Sequence, residues 1–426
     1  MIPSPAESRG RYLSWLLIVA ANLALCALVI LSPKHPVYDE GWWLDTLALL
    51  RRDGLSLEFL RELPGAAGPT FTLVFAAVDR LVGLQFPWLR FVNVVLLTAS
   101  VGLIWGVLAL AGERRGKTDA RRADLPLFAA SISTLPTVGV SAGLAITETP
   151  AFFFIAAGLL LLTLLMQIPW RPWSAALAVA CALCIAAAVF GRQNYLVMLP
   201  CLLLALRPAS EASAGRDALR LSIVFAGVAL LTGPVFWLWG GLVPPQTARV
   251  EAGISFANGV RSAGYAGIIV VLLAPQVYRV LAERKLILVA IAAACIPASL
   301  LQGQQSLPLA SVSALIVGSR LAAFVGPIAN YILTLAALAF VVCFAYFLWQ
   351  QRMDWLTRLC GSTALVGILA NAKIPHQFSS RYVFVFLPFL AISVASAARP
   401  NWHQPLRIAI GACISLGALA SYFFSQ

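Results

Sequence analysis

The sequence predicts an all-α polytopic membrane protein, and composition and segment length support this fold class. Hydrophobic residues make up 61% of the chain, charged residues only 11%, and the mean hydropathy is +0.88. Soluble domains carry about 25% charged residues. The apolar residues form segments of roughly 17–25 residues, the length that a helix needs to cross a bilayer. A membrane β-barrel would show shorter stretches of alternating hydrophobicity.

The basic residues indicate the orientation of the chain in the membrane. The net charge is +13, but the Lys and Arg residues are scattered through loops and do not form one stripe, which argues against a nucleic-acid partner. Positive residues in short loops mark the cytoplasmic side, so the N-terminus with Arg9 and Arg11 and the basic loop 113–122 are both expected inside. The apolar run 13–31 is too long for a signal peptide, and we interpret it as a retained first helix.

The charge rule predicts about 13 transmembrane helices in a single membrane domain covering residues 1–426. Residues 69–84 are apolar but short and are expected to lie on the surface or to re-enter, so 32–88 becomes the first periplasmic loop. Within it, residues 42–52 carry the aromatic and basic residues that are typical of a helix at the membrane interface. Residues 240–263 and 302–326 form further periplasmic loops. The predicted spans are 13–31, 89–111, 125–143, 150–168, 174–190, 193–206, 220–239, 264–281, 286–301, 327–349, 358–372, 381–397 and 405–424.

An acidic pair, Asp39-Glu40, stands at the start of the first external loop. The chain has only 17 acidic residues, and two adjacent acids at a predicted membrane surface are costly and therefore a candidate site. The alternative is a helix start ahead of Trp42, because Asp is favoured there. We interpret Asp39 and Glu40 as catalytic candidates, with Asp39 as the preferred base and Glu40 as its support.

Other external loops carry polar residues that could join this pair. Glu148 precedes Pro150, and it is either an acid at a helix start or a second acid that faces the site. The run Arg192-Gln193-Asn194 stands between two spans that are almost free of polar residues. That isolation favours contact with a ligand over structural pairing with an acid.

A late loop supplies further candidates: Lys373, His376, Arg381 and Tyr382. An arginine here could also simply anchor the membrane interface. If the external cavity receives a lipid phosphate, fixed cations hold that phosphate while a carboxylate takes the proton of an acceptor hydroxyl. Arg192, Arg381, Lys373 and His376 would then bind the donor phosphate, and Glu148, Gln193, Asn194 and Tyr382 would contact the substrate.

The proposed chemistry needs neither a nucleotide fold nor an obligatory cofactor. An inverting sugar transfer requires one base and a leaving group whose charge is stabilised, and a polyprenyl phosphate held by Arg or Lys leaves readily. Three histidines in all argue against a His-based metal site. A divalent cation could still be bound by Asp39, Glu40 and Glu148.

Three motifs resemble a known family, the dolichyl-phosphate-glucose α-1,2-glucosyltransferases of the GT-C superfamily. Tyr38-Asp39-Glu40 resembles that family's Asp-Glu entry, and the stretch 190–194, Phe-Gly-Arg-Gln-Asn, resembles its Phe-Arg-Gln-Thr-Asn. The stretch 376–382 is similar to its late His-Pro…Arg-His-Tyr segment, and 239–241 echoes a Trp-Asn-Gly-Gly turn. The resemblance implies a GT-C-like fold and a polyprenyl-phosphate sugar donor.

The departures from that family concern the sugar and the acceptor more than the chemistry. Gly191 is inserted in the second motif, the Thr of that motif is absent, and Tyr382 replaces the second His of the late motif. The absence of an Asn-x-Ser/Thr sequon favours a bacterial chain. We therefore expect a multi-pass protein of the bacterial inner membrane, with its site facing the periplasm, an undecaprenyl-phosphate sugar donor, and a glycan or lipid acceptor.

Two other functions stay open from the sequence. A transporter or flippase of lipid-linked sugars predicts ionisable residues in mid-membrane and broken helices in matching halves. A polymerase or ligase of O-antigen type predicts one large late external loop with several arginines, whereas the largest predicted loop here is the first. A non-catalytic scaffold has no positive support.

Overall fold

The computed structural model describes residues 5–83, 85–114, 124–169, 171–205, 211–247, 253–283, 285–300, 307–374, 378–399 and 401–424. Over these residues every regular element is a helix, which confirms the all-α prediction. Four short 3-10 helices cover Ile132–Thr134, Gln193–Val197, Pro275–Tyr278 and Asn371–Lys373. The α-helices are α1 Pro5–Ile30, α2 Glu40–Asp53, α3 Leu57–Glu62, α4 Thr70–Val82, α5 Trp88–Arg114, α6 Leu125–Ser131, α7 Val138–Gly143, α8 Glu148–Gln167, α9 Pro172–Gly191, α10 Met198–Ala205, α11 Glu211–Trp239, α12 Phe256–Leu273, α13 Arg279–Glu283, α14 Lys285–Leu300, α15 Leu307–Gln350, α16 Trp355–Ala370, α17 Arg381–Phe384, α18 Leu387–Val394 and α19 Gln404–Phe424.

In the described part of the chain, 8 helices are long and apolar enough to cross a membrane. They lie in α1, α5, α8, α9, α11, α12, α15 and α19. The protein is therefore a multi-pass α-helical membrane protein, although the predicted count of 13 spans is not confirmed. Predicted spans 286–301 and 358–372 correspond to α14 and α16, which have 16 residues each.

Four predicted spans are not continuous helices. Residues 125–143 form α6, a 3-10 turn and α7, and residues 193–206 begin as a 3-10 helix before α10. Residues 264–281 cover the end of α12, a 3-10 helix and the start of α13, and residues 381–397 divide into α17 and α18. Each interruption lies near a proline: Pro136, Pro200, Pro275 and Pro388. Proline lacks an N–H and disfavours helical backbone at the preceding residue, so an apolar run alone did not reveal these breaks.

The predicted first loop contains three short helices, α2, α3 and α4. Helix α2 buries Trp43 and Thr46, three residues apart and thus on one face, while Trp42 is 60% exposed. Thr46 and Thr72 share a hydrogen bond of 2.8 Å between their hydroxyl oxygens, which joins α2 to α4. With 13 residues, α4 is about 20 Å long and cannot span a hydrocarbon core of about 30 Å.

The second half of the chain differs from the predicted loop pattern. Helix α12 begins at Phe256, inside the segment predicted as the loop 240–263, and α15 runs unbroken from Leu307 to Gln350. At 44 residues α15 is about 66 Å long, so it covers both a predicted loop and a predicted span.

The contacts divide the chain into two compact units. One contains Met1–Ala24, Ala123–Val140 and Glu251–Gln426, and is here called the C-terminal unit. The other contains Leu25–Arg122 and Ser141–Val250, and is here called the N-terminal unit. In the N-terminal unit, α8 packs against α5 and α9, and α9 packs against α11; in the C-terminal unit, α12 packs against α15.

Small residues allow α12 and α15 to approach closely. A Cβ atom on Gly264 would lie 2.5 Å from the Leu333 carbonyl oxygen, and one on Gly267 would lie 2.5 Å from the Ala336 carbonyl oxygen. Membrane helices pack through small residues because lipid provides no hydrophobic force between them. This contact therefore depends on glycine at both positions.

We predict that Gly267→Ala destabilises the protein by about 1–3 kcal/mol, because the added methyl group overpacks a backbone contact. The matched control is Gly233→Ala in α11, where an added Cβ meets no atom within 4 Å. Thermal unfolding of both variants in the same detergent measures the difference. Equal melting temperatures for the two variants would contradict the prediction.

Candidate active site

The acidic pair lies at the start of α2, and its second member is fully buried in an ion pair with Arg90 of α5. Both side chains are 0% exposed. Arg90 Nε donates to Glu40 Oε1 at 2.8 Å, and Arg90 Nη2 donates to Glu40 Oε2 at 2.6 Å. The Glu40 carboxylate also accepts from the backbone N–H of Val37 at 2.9 Å and of Ala145 at 2.7 Å. Glu40 thus accepts four hydrogen bonds from three partners.

The rest of the Arg90 guanidinium holds the loop before α2. Its Nη1 donates to the Ser32 hydroxyl and to the Pro33 carbonyl oxygen, both at 2.6 Å, and its Nη2 donates to the His35 carbonyl oxygen at 2.9 Å. All five N–H groups of a guanidinium are thereby used. The guanidinium also lies over the Phe86 ring, 4.4 Å from its centroid.

Asp39, the preferred base, is half-buried and immediately precedes α2. The residue before it, Tyr38, has a left-handed backbone with φ of 55°. That conformation costs a non-glycine residue about 1–3 kcal/mol and persists only where the surrounding structure imposes it. The bonds that Arg90 and Glu40 make to the preceding backbone supply that constraint.

The segment that carries Glu148 is held by the same region of α5. Asn93 donates its amide N–H groups to the Leu144 carbonyl oxygen at 2.6 Å and to the Ile146 carbonyl oxygen at 3.1 Å. Together with the bond from Ala145 to Glu40, these contacts fix the turn that leads into α8. Glu148 is the first residue of α8.

Glu148 forms a second buried ion pair, with Arg192. The Glu148 side chain is 0% exposed and the Arg192 side chain 11%, and Arg192 Nη2 donates to Glu148 Oε1. The Arg192 Nε is buried and has no hydrogen-bond partner among the described residues. Tyr195 is fully buried one 3-10 turn further on. The Glu148 carboxylate thus orients one edge of the Arg192 guanidinium.

A close helix contact brings this pair together. Arg192 follows the last residue of α9 and has an extended backbone. A Cβ atom on Gly191 would lie 2.6 Å from the Cβ of Ala151 in the first turn of α8. The glycine that departs from the family motif therefore lets the end of α9 reach the start of α8. Gln193 donates its side-chain N–H to the Ala66 carbonyl oxygen, which ties the first loop to the same place.

The late-loop residues lie in the C-terminal unit. Arg381 is 8% exposed and begins α17, with its guanidinium carbon 5.7 Å from the centroid of the Tyr382 ring. Lys373 is exposed at the end of a 3-10 helix. His376 lies outside the described residues. Asn194, in the N-terminal unit, is half-buried in the 3-10 helix that follows Arg192.

A polar network in the C-terminal unit contains a further buried cation. Arg261 of α12 is 6% exposed and donates to the Asn258 side-chain oxygen at 3.1 Å. Asn258 donates to the Ile374 carbonyl oxygen at 2.7 Å, and Asn371 donates to the Ser262 hydroxyl at 2.8 Å. These bonds join α12 to the loop that carries Lys373.

Two of the three acids considered for a divalent cation are paired with arginines. Among the residues that the structure describes, no three His, Cys, Asp or Glu side chains are grouped as metal ligands. Of the three acids considered for a cation, Glu40 and Glu148 are each paired with a guanidinium group. An adjacent arginine opposes a second cation electrostatically.

The structure brings part of the predicted set together. Asp39, Glu40, Glu148, Arg192, Gln193 and Asn194 belong to the N-terminal unit, and Lys373, Arg381 and Tyr382 to the C-terminal unit. Sequence reasoning missed Arg90 and Asn93. The available signal was a charged residue inside a predicted span followed by an amide three residues later, which places both on one helix face.

The helices and their buried ion pairs define a polytopic α-helical membrane protein. No family model and no curated protein matches the chain. The chain is similar to the crystal structure of ArnT from Cupriavidus metallidurans in the apo state, with 16% identity over 94% of this chain and 77% of that chain and a TM-score of 0.37. The same protein bound to undecaprenyl phosphate gives 14% identity over 94% and 77%, with a TM-score of 0.40.

A third similar structure is an oligosaccharyltransferase from Archaeoglobus fulgidus tethered to an acceptor peptide. The identity is 14% over 92% of this chain and 56% of that chain, and the TM-score is 0.39. These neighbours are glycosyltransferases of the GT-C type. At such identities and TM-scores the likeness does not by itself assign a reaction to this chain. The narrower resemblance to the dolichyl-phosphate-glucose glucosyltransferases stays a prediction.

We predict that Arg192→Met destabilises the protein by about 3–5 kcal/mol, because it leaves the buried Glu148 carboxylate without its cation. The double variant Arg192→Met with Glu148→Gln removes both charges and should recover a large part of that loss. Chemical unfolding of the single and double variants in detergent gives the coupling between the two positions. Strictly additive losses would contradict the ion pair.

We also predict that Gly191→Ala lowers stability, since the new methyl group overlaps Ala151 and separates Arg192 from Glu148. Gly41→Ala in α2 is the control, because an added Cβ meets nothing within 4 Å there. Thermal melting compares the two substitutions. If Ala151→Gly does not restore Gly191→Ala, the overlap is not the cause.

Proposed function

We propose that the chain is a membrane glycosyltransferase that moves a sugar from a polyprenyl-phosphate donor to an acceptor hydroxyl on the periplasmic face. The observation that carries the proposal is the bond between Glu40 Oε1 and the Ala145 N–H, 2.7 Å long. It joins the loop of the acidic pair to the turn that begins α8 with Glu148. An inverting transfer from a phosphate leaving group requires a carboxylate base and a cation that holds the phosphate, and these are the roles that we propose for Asp39 and Arg192.

In this mechanism Asp39 is the base. Both oxygens of Glu40 already accept hydrogen bonds from Arg90 and from backbone N–H groups, and the side chain is 0% exposed. A general base must reach the proton that it removes. Asp39 is half-buried at the end of the same loop, so an acceptor can approach it more easily than the fully buried Glu40.

Arg192 binds the donor phosphate and stabilises the charge that grows on it as the sugar leaves. Glu148 occupies one Nη of Arg192 and fixes the plane of its guanidinium, while the buried Nε donates to no described residue. An arginine held in this way retains N–H groups for a phosphate oxygen, and such charge-assisted bonds are about twice as strong as neutral ones. Gln193 and Asn194, which follow it, contact the sugar or the acceptor.

The sequence also proposes three late-loop residues as ligands of the donor phosphate. Arg381 and Lys373 come from the late loop, and His376 is proposed with them. Tyr382 is proposed as a substrate contact beside Arg381, whose guanidinium faces its ring. ArnT, one of the similar structures, is described as bound to undecaprenyl phosphate. A lipid of that class, embedded in the inner membrane, is the donor that we propose here.

A transporter or flippase of lipid-linked sugars is the second candidate, because four predicted spans are broken helices. Broken helices line the binding sites of many transporters. The two functions differ in their product, since a transporter leaves the glycosidic bond intact. The absence of a new glycoside in the presence of donor movement would favour transport.

We predict that purified wild-type protein transfers sugar from a synthetic polyprenyl-phosphate sugar, and that Asp39→Asn lowers kcat by about 100-fold or more through loss of the base. Arg192→Ala should lower the rate by about 10²–10³-fold, because a preorganised donor to the developing charge is lost. Product formation by mass spectrometry measures both effects, and Glu40→Gln is assayed beside them. Undiminished transfer in all three variants would overturn the assignment.

A further inference from the structure

We propose that Arg90, together with Glu40, is a positioning residue that sets the placement of both Asp39 and Glu148. This inference rests on the proposed function for its effect on catalysis. The geometry behind it is independent of any reaction. Two residues of one helix turn, Arg90 and Asn93, bind the two segments from which the candidate acids project.

Burial shows that the ion pair has a role other than adding stability. Arg90 and Glu40 are both 0% exposed. Removing each ion from water costs several kcal/mol, and an apolar pair of similar volume is often equally or more stable. An apolar pair cannot form hydrogen bonds that hold the surrounding backbone in a fixed direction. The guanidinium donates in one plane at fixed angles, and all five of its N–H groups are used here.

The bonds fix a stretch of backbone that has no regular secondary structure of its own. Arg90 holds the carbonyl oxygens of Pro33 and His35, and Glu40 holds the N–H of Val37. Every second residue of the stretch 33–37 is therefore hydrogen-bonded to the buried Arg90–Glu40 pair. The left-handed Tyr38 comes next and then Asp39, so the direction of the Asp39 side chain follows from this arrangement.

The same pair reaches the second acid through Ala145. Glu40 Oε1 accepts from its N–H at 2.7 Å, while Asn93 holds the carbonyl oxygens on either side of it. Glu148 begins α8 three residues later. A change at Arg90 is therefore expected to displace the segments that carry both acids.

The consequence for catalysis is a loss in kcat with little change in KM. Arg90 does not touch substrate, so donor affinity depends on it only weakly, whereas a misplacement of about 1 Å at the reacting groups can cost about 100-fold in rate. Lysine cannot replace it, because an ammonium group is a single point of charge without the bidentate geometry. Arg90→Lys should therefore keep the positive charge but lose the hydrogen bonds that place Asp39 and Glu148.

The experiment uses full-length protein in lipid nanodiscs and four samples: wild type, Arg90→Lys, the apolar pair Arg90→Met with Glu40→Leu, and Arg51→Lys. Arg51 is the matched control, since it lies in α2 with its side chain 67% exposed and pairs only with Asp79 at the surface. The apolar pair is included because it should keep the fold even if Arg90→Lys does not. Thermal melting checks that each sample is folded.

The first readout needs no activity. Trypsin cleavage after Lys34 reports the backbone that Arg90 holds on both sides, and Lys34 itself is exposed. We expect cleavage at least about tenfold faster in Arg90→Lys and in the apolar pair, because release of the loop exposes the peptide bond. The Arg51→Lys control should cleave at the wild-type rate. An unchanged rate in both Arg90 variants would overturn the inference.

The second readout is sugar transfer with a synthetic polyprenyl-phosphate sugar. We expect kcat to fall by about 10–100-fold in both variants, with KM within about threefold of wild type. Wild-type kcat in the folded apolar pair, or a loss carried mainly by KM, would overturn the positioning role.

Failure of the proposed function gives a different result. Wild-type protein would then form no glycoside, while trypsin would still cleave after Lys34 faster in the two Arg90 variants than in wild type.

Discussion

The arrangement of the N-terminal unit depends on one buried interaction, the ion pair between Arg90 and Glu40. Each partner would be costly to bury alone, and the two satisfy each other through two hydrogen bonds. Through their remaining bonds the two side chains hold the loop before α2 and the turn before α8. Two distant segments of the chain are thereby fixed to one helix. The candidate acids Asp39 and Glu148 are carried by those segments.

Close helix packing complements this electrostatic constraint. The end of α9 reaches the start of α8 because Gly191 has no side chain to meet Ala151, and this contact places Arg192 beside Glu148. In the C-terminal unit, Gly264 and Gly267 allow α12 to approach the backbone of α15 in the same way. In both places small residues let the helix backbones come together, and one contact also orients a functional arginine.

The sequence predicted much of the candidate site but not the role of each member. Asp39, Glu148 and Arg192 were identified from rare charges in an apolar chain, and the structure places the last two in contact. Glu40 was grouped with Asp39 because the two are adjacent. Adjacent residues at a helix start point in different directions, so one is buried against Arg90 and the other is half-buried. Arg90 itself lies in an apolar run, where a lone charge is normally assigned to the membrane boundary.

The sequence by itself determined that this protein is an all-α membrane protein with a polar first loop of amphipathic helices, because hydropathy and length follow directly from the thickness of the bilayer. Only the tertiary structure decided which charges are paired. The partners of Glu40 and Glu148 come from residues far apart in the chain, Arg90 and Arg192. Hydropathy is a local property, whereas a buried charge is stable only with a partner that folding brings to it.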